Sequence, residues 1–411
     1  MVSTAAPRPI DRNVYFTVLV AALGYFVDIY DLILFSIVRV KSLKSIGVSD
    51  AELLDRGVLL INLQMSGMLI GGVLWGILGD KRGRLSVLFG SILLYSIANI
   101  ANGFVTDVGT YGALRVIAGI GLAGELGAGI TLVSELLPTR VRGYGTTIVA
   151  GVGVMGAVFA ALVGDTFDWR VAYFVGGGLG LGLLVLRIGV YESSMFKDVK
   201  EKGVRRGAFF SLFADFTRAR RYLSVILIGV PIWFVIGVLV TFSPEIGKAM
   251  GMTEIPAPAK AVLYCYSGLA VGDILSGLIS QILKSRKKVV LGSILFTAAA
   301  MALYFTVGKS SLGIFYVLCF ALGIGGGYWA LFVTMASELF GTNIRATVTT
   351  TAPNFVRGAL VLLTLLFQAL KPALGVPGSA IAVGALAISL ALAALIGLEE
   401  TFSRELDFLE E

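Results

Sequence analysis

Histidine is absent from these 411 residues, cysteine occurs twice, and only 14% of the chain is charged. Each scarcity excludes something. Without histidine, no side chain titrates near neutral pH in its ordinary state, so proton handling falls to carboxylates altered by burial. Cys265 and Cys319 both fall in apolar runs. They are too few for a disulfide framework or a metal cluster and read as small buried hydrophobes. Soluble domains carry about 25% charged residues. A chain with 57% hydrophobic residues and a mean hydropathy of +0.90 instead has the composition of an integral membrane protein.

Runs of about 20 apolar residues, enough to cross about 30 Å of hydrocarbon as helices, recur along the chain. Twelve are expected, at 14–38, 58–79, 87–105, 110–136, 144–164, 170–191, 223–244, 257–283, 289–307, 311–339, 345–370 and 376–399. The loops left over are short, and they hold no nucleophile–base set, metal cluster or phosphate loop. This argues against an enzyme and implies neither cofactor nor metal. The opening MVSTAAPRPIDRN lacks the charged region and cleavage site of a removable signal peptide, so the first span is expected to stay.

The net charge of +7 could suggest nucleic acid, but its distribution points to lipid. With an even number of spans both termini share one side, and 21 of the 33 basic residues collect there. The positive-inside rule then places both termini in the cytoplasm of a multi-pass protein of the inner (plasma) membrane. The longest polar interruption, 192–222, divides the chain into a six-helix bundle at 1–191, a cytoplasmic linker, and a second bundle at 223–411. Within the linker, GAFFSLFADF reads either as an amphipathic helix at the interface or as solvated chain.

The halves are related. SELLPTRVRG, with Ser134, Glu135 and Arg142, returns as SELFGTNIRA, with Ser337, Glu338 and Arg345, at an offset of 203. GILGDKRGR from Gly76 and GLISQILKSR from Gly277 repeat at 201. Two matches at nearly one offset indicate an internal duplication, hence a transporter with its site between two bundles near the midplane.

In GILGDKRGR, Gly76 allows close helix approach, Gly83 a tight turn, and Asp80 can pair with arginines or a helix N-terminus. Here the chain resembles the major facilitator superfamily, whose signature G-x-L-x-D-x-x-G-R is matched by Gly76, Leu78, Asp80, Gly83 and Arg84. The second copy has Gln281 and Lys284 in place of the acid and glycine, so a cytoplasmic gate is expected to rest mainly on Asp80, with Glu135, Arg142, Glu338 and Arg345 around it. Arg115, Gly119, Gly121 and Gly124 extend the resemblance through R-x-x-x-G-x-G-x-x-G. DWR at 168–170 and YESSMF at 191–196 resemble the sugar-porter, metabolite–proton symporter and organic-ion branches, and the fifth span lacks the Gly-Pro element of drug–proton antiporters. The resemblance implies an all-α membrane protein of twelve helices in two pseudo-symmetric bundles, a monomer working by alternating access.

Charges in hydrocarbon are costly, so each is a functional candidate. They are Asp28, Asp31, Arg115, Glu125, Asp273 and Arg357; Arg187 is expected to snorkel to the interface. Tyr30-Asp31 resembles the Tyr-Asp of proton-coupled sugar porters, which implies that Asp31 faces Arg115, either as a pair whose making and breaking loads and releases a proton or as a permanent structural salt bridge. Asp28 lies one turn away, and D-x-x-D is similar to the D-G-[YF]-D of aromatic-acid–proton symporters, with Ile29 in place of glycine. Glu125, whose repeat mate is Tyr328, reads as a second protonation site or substrate contact, or else a buried helix–helix hydrogen bond. Arg357, twelve residues after Arg345, resembles the arginine that organic-anion transporters place where their organic-cation relatives have an acid. A guanidinium stays charged when buried and grips a carboxylate through two parallel hydrogen bonds. Alternatively it neutralises Asp28, Glu125 or Asp273. Tyr30, Trp233, Tyr328 and Trp329 can wall a pocket, with Asn354 beside Arg357 in sequence; Tyr25, Phe26 and Phe234 fall at similar depth. Proton-coupled symport of a small organic anion is the expected function. The alternatives are a sugar or polyol symporter, an organic-ion facilitator or exporter, and a ligand sensor, for which the tail ETFSRELDFLEE is short.

Overall fold

In hydrocarbon a backbone must satisfy its own N–H and C=O groups, so apolar runs of this length can only be helices. The computed structural model describes residues 12–82, 84–137, 139–189 and 209–402. Among them the helices are α1 (Arg12–Ser45), α2 (Leu53–Arg82), α3 (Arg84–Asn102), α4 (Val108–Leu122), α5 (Glu125–Leu136), α6 (Thr139–Thr166), α7 (Trp169–Leu186), α8 (Phe216–Phe234), α9 (Ser243–Ala249), α10 (Pro258–Leu283), α11 (Arg286–Thr306), α12 (Leu312–Gly326), α13 (Trp329–Leu339) and α14 (Thr342–Gly397). Several starts are set by side-chain caps. Asp107 accepts from the Thr110 amide, Asp168 from Arg170, Asp215 from Arg218, and Ser285 and Ser311 from Lys288 and Ile314. The Thr110 amide also holds the exposed Asp107 carboxyl below the usual carboxylate range.

Among the described residues, ten stretches are long and apolar enough to cross a membrane. The last, 347–397, is two crossings joined at Gly375, whose φ of 67° suits only a residue without Cβ. One more crossing consists of the shorter α4 and α5, which completes twelve. Expected as a single run, 110–136 is interrupted at Ala123–Gly124, and its repeat, 311–339, at Gly327–Tyr328. The offset of 203 carries Gly124 onto Gly327, so the breaks obey the same symmetry as the motifs.

Packing repeats too. A Cβ on Gly71 of α2 would lie 2.4 Å from the Ile120 carbonyl of α4, and one on Gly272 of α10 would lie 2.4 Å from the Ile324 carbonyl of α12. Glycine-lined contacts of this kind let membrane helices pack backbone to backbone. Two six-helix bundles result, in contact through α2 with the first crossing of α14, and through α6 with α10. Along the first seam, a Cβ on Gly72 would meet the Asn354 Cβ at 2.9 Å. Gly76 faces Thr351 across the same seam, but an added Cβ there would meet its Cγ2 only at 3.6 Å. The tight approach expected at Gly76 is therefore one turn earlier.

Part of the linker falls within the described residues. Its described part holds a 3₁₀ turn, Phe209–Phe213, ahead of the start of α8, with Phe209 and Leu212 buried and Phe210 and Phe213 exposed. The Phe209 ring packs at a tilt against Phe355, 5.8 Å between ring centres, which holds the turn to α14.

On the membrane face away from the termini, called here the far side, the bundles are clasped. Arg39 of α1, fully buried, donates two parallel bonds of 2.7 Å to the Glu245 carboxylate on α9, and further bonds to the carbonyls of Leu53 and Thr241. The Phe242 ring lies 4.7 Å from its guanidinium carbon, and the Thr241 hydroxyl donates to Ser36 at 3.0 Å. Lys371 pairs with Asp55, and Thr364 donates to Asn62 at 2.6 Å. A π-helical turn at Val235–Val240 continues α8 and presents Thr241 to the clasp. Charge-assisted bonds are worth about 1.5–3 kcal/mol each. Glu245→Gln is accordingly expected to raise by at least about tenfold the rate at which Ser36→Cys reacts with a membrane-impermeant thiol reagent applied from the far side. An unchanged rate would show that the clasp contributes nothing to closure. The native Cys265 and Cys319 are buried and leave the assay clean.

Candidate functional site

Arg357 lies midway along the first crossing of α14 and Asp28 midway along α1, and the fold brings them together across the bundle interface. Their side chains are 1% and 0% exposed, with 4.0 Å between Nη2 and Oδ2. That separation is electrostatic contact without a hydrogen bond. None of the three guanidinium nitrogens of Arg357 has a hydrogen-bond partner, nor has either oxygen of Asp28. Burying a charge with its hydrogen-bonding capacity unused is expensive, and such groups mark places where function outweighs stability. The rings of Trp233 from α8 and Trp329 from α13 lie 5.6 and 5.7 Å from the guanidinium carbon, within cation–π range. Tyr25 and Tyr266, both buried, lie within electrostatic reach of both charges. Tyr25 fits because Gly153 of α6 has no side chain; a Cβ there would overlap its ring at 1.9 Å.

Of the six residues expected around a substrate, Arg357, Trp233 and Trp329 converge here. Of the others, both tyrosine hydroxyls and the Asn354 nitrogen are engaged elsewhere, while the Asn354 Oδ1 is buried without a partner. Tyr30 donates to the Ala172 carbonyl at 2.9 Å, Tyr328 to Ile228 at 2.7 Å, and the Asn354 amide to Ala123 at 2.9 Å. The Asn354 bond ties α14 to the break between α4 and α5. Tyr266 was not singled out by the sequence, where it is one aromatic among many on an apolar helix.

Asp31 and Arg115 do not meet as expected. No ion pair within 4.0 Å joins them; Arg115 instead bonds to the Gln64 carboxamide and, at 3.3 Å, to the Tyr173 hydroxyl, with the Phe35 ring 4.8 Å from its guanidinium carbon. Neutral acceptors take both terminal nitrogens of the guanidinium and leave its Nε without a partner, while Asp31 turns toward α7, where a Cβ on Gly176 would lie 2.0 Å from its Oδ1. Asn99 of α3 lies beside it.

A second correction concerns Arg187, which does not snorkel. It is 2% exposed and forms an ion pair with Glu125, also 2% exposed, while donating to the Leu88 carbonyl at 2.7 Å. Gly24 of α1 makes the space, since a Cβ there would sit 2.2 Å from the Glu125 Oε1. Glu125 opens α5 and Asp273 of α10 accepts from the Ala330 amide near the start of α13, at 3.1 Å. A carboxylate thus meets the positive end of the second segment in each broken crossing.

At the gate motif, Glu338 pairs with Arg286 at 3.3 Å and Arg345 Nε donates to the carbonyls of Ser337 and Phe340. Gly83 and the side chains of Asp80, Arg84, Glu135 and Arg142 lie outside the described residues.

Comparison with known proteins gives this geometry a family. A gentisate transporter of Corynebacterium glutamicum is 26% identical over 404 residues, covering 92% of this chain and 86% of that protein. A niacin transporter of Acinetobacter baylyi is 31% identical over 181 residues, 43% of this chain and 40% of that protein. A crystal structure of a D-xylose–proton symporter superposes with a TM-score of 0.71 at 18% identity, covering 94% and 98% of the two chains. With the model of the Major Facilitator Superfamily matched from residue 16 to residue 363, this chain belongs to that superfamily and is a transporter, not an enzyme.

Proposed function

We propose that the protein moves a small aromatic carboxylate across the membrane together with a proton. The observation that carries this reading is the buried Arg357 guanidinium, its donors unspent, between two tryptophans and 4.0 Å from Asp28. A carboxylate accepts two parallel bonds from such a fork, and indole rings at this distance suit a flat ring carried behind it. Gentisate and niacin, named for two relatives, are both aromatic acids.

Coupling follows from charge. An anion on Arg357 confronts Asp28 with a second negative charge at close range, and a proton taken up by Asp28 removes the repulsion. Asp31, one turn away, is the group with which that proton exchanges. Anion and proton together neutralise the site, which lets the loaded bundles rock past each other; either alone leaves a net charge between them. Arg115 sets the potential around Asp31 without touching it. The basic loops favour, by the positive-inside rule, both termini and the gate residues on the cytoplasmic side of the inner membrane, in a monomer whose halves divide within 192–222.

The test uses protein in liposomes containing a pH indicator. Gentisate or nicotinate added outside is expected to acidify the interior, and xylose is not. Uptake of either acid with no proton movement would overturn symport.

A further inference from the structure

Behind Asp31, away from Arg357, is a second buried polar region that the anion site does not use. Asn99 and Asn102 lie on successive turns of α3 and both are fully buried. Neither the oxygen nor the nitrogen of either amide makes a hydrogen bond of good geometry, although the Asn99 amide lies close enough to the Asp31 carboxylate to interact with it. The same holds for the hydroxyls of Ser96 and Tyr95, one turn deeper, and for both oxygens of Asp31. Eight buried polar atoms on neighbouring turns are therefore unsatisfied by protein, whereas buried amides nearly always bond to protein or to water. Glycines of α7 make the room: a Cβ on Gly176 would lie 2.0 Å from Asp31 Oδ1, and one on Gly180 would lie 2.0 Å from Ser96 Oγ. From Ser96 to Asn102 the helix rises about 9 Å, and α3 ends at Asn102 against the far-side loop 103–107.

We infer that Asn99 and Asn102 hold a short file of water through which protons pass between the far side of the membrane and Asp31. The inference rests on the symport reading and adds a route to it. Amides do not themselves relay protons, but two donors and two acceptors on adjacent turns orient water, and water and hydroxyls do. The titratable and charged groups facing Asp31 are Asp28 and Tyr30 of α1, Tyr95 of α3, Arg115 of α4 and Tyr173 of α7. Arg115 and Tyr173 are engaged in their own hydrogen bonds, with Tyr173 joined to Tyr111 at 2.7 Å, which leaves Asn102, and Asn99 next to the Asp31 carboxylate, as the polar wall of α3.

The test compares Asn99→Leu, Asn102→Leu and Asn99→Ser with the parent protein. After a shift into heavy water at acid pH, the infrared carbonyl band of Asp31, identified by its loss in Asp31→Asn, reports hydrogen exchange at that carboxyl. The leucine variants are expected to slow exchange at least tenfold, with Asn99→Ser near the parent rate because a hydroxyl still holds water. Equal rates in all variants overturn the path. In liposomes the leucine variants are expected to lose at least tenfold in pH-driven gentisate accumulation while keeping gentisate counterflow, which moves no net proton. Equal loss of both assigns the amides a merely structural part and overturns the inference. If the parent accumulates gentisate without consuming a pH gradient, the symport reading falls and the path with it. If the parent couples and both leucine variants couple equally well, the path alone falls.

Discussion

Arg357→Gln is expected to weaken binding of an aromatic carboxylate by about a hundredfold and Arg357→Lys by about tenfold, measured as quenching of tryptophan fluorescence. The size follows from what each substitution removes. Hydrogen bonds to charged groups contribute about 1.5–3 kcal/mol, or roughly 10- to 150-fold in affinity. Glutamine abolishes both the charge and the fork; lysine keeps a positive point charge but cannot present two parallel donors to one carboxylate. Trp233 and Trp329 lie beside the substituted position and serve as the fluorescent reporters. The neutral amide of the same acid should bind the parent weakly and gain relative to the acid in Arg357→Gln, because the site then has no cation to satisfy. Should Arg357→Gln bind the acid as tightly as the parent does, the guanidinium serves only as the counter-ion of Asp28. Asp28→Asn distinguishes the two duties further. It removes the competing carboxylate, so acid binding is expected to hold or tighten at neutral pH while proton-driven accumulation is lost.

How far the sequence reached differs between fold and site. The twelve crossings were legible because hydrocarbon imposes one length and one polarity on every segment, and the duplication was legible as a repeated spacing. The breaks in the fourth and tenth crossings were not, since each sits in a run long enough to cross as one helix, and each lies where glycines bring the backbone close to α3 or α10. At the site, scarcity of charge was enough to pick out Asp28 and Arg357. Partners were harder. Asp31 and Arg115 are the natural pair by composition, but Gln64 and Tyr173 take the two terminal nitrogens of the arginine, and nothing local in the sequence marks either as its acceptor. Arg39 and Glu245 are 206 residues apart, each near the end of an apolar run, where a charge looks unremarkable. The amides of Asn99 and Asn102 were passed over because uncharged polar residues are common near helix ends; only full burial without partners sets them apart.

Glu125→Gln is expected to cost the most stability of any single substitution considered, and the reason lies in Arg187. Both groups are 2% exposed, and Arg187 has the Leu88 carbonyl as its other partner. Breaking a buried pair by removing one member leaves an uncompensated charge and typically costs about 3–5 kcal/mol, whereas replacing both by apolar groups of similar size is often neutral or stabilising. In detergent, Glu125→Gln should therefore lower the midpoint of thermal unfolding by many degrees, and Glu125→Leu with Arg187→Met should recover most of the loss. Gly24→Ala tests the same contact from α1, because its Cβ would fall on both members of the pair. The double variant also decides what Glu125 does. If it is stable and still accumulates an aromatic acid against a gradient with an unaltered proton requirement, the pair is structural, and coupling belongs to Asp28 and Asp31 alone. If it is stable but carries the acid without protons, Glu125 belongs to the proton path. Electrostatics makes that second outcome intelligible, because the pair lies within reach of Asp28 and its removal alters the potential at the carboxylate nearest the anion.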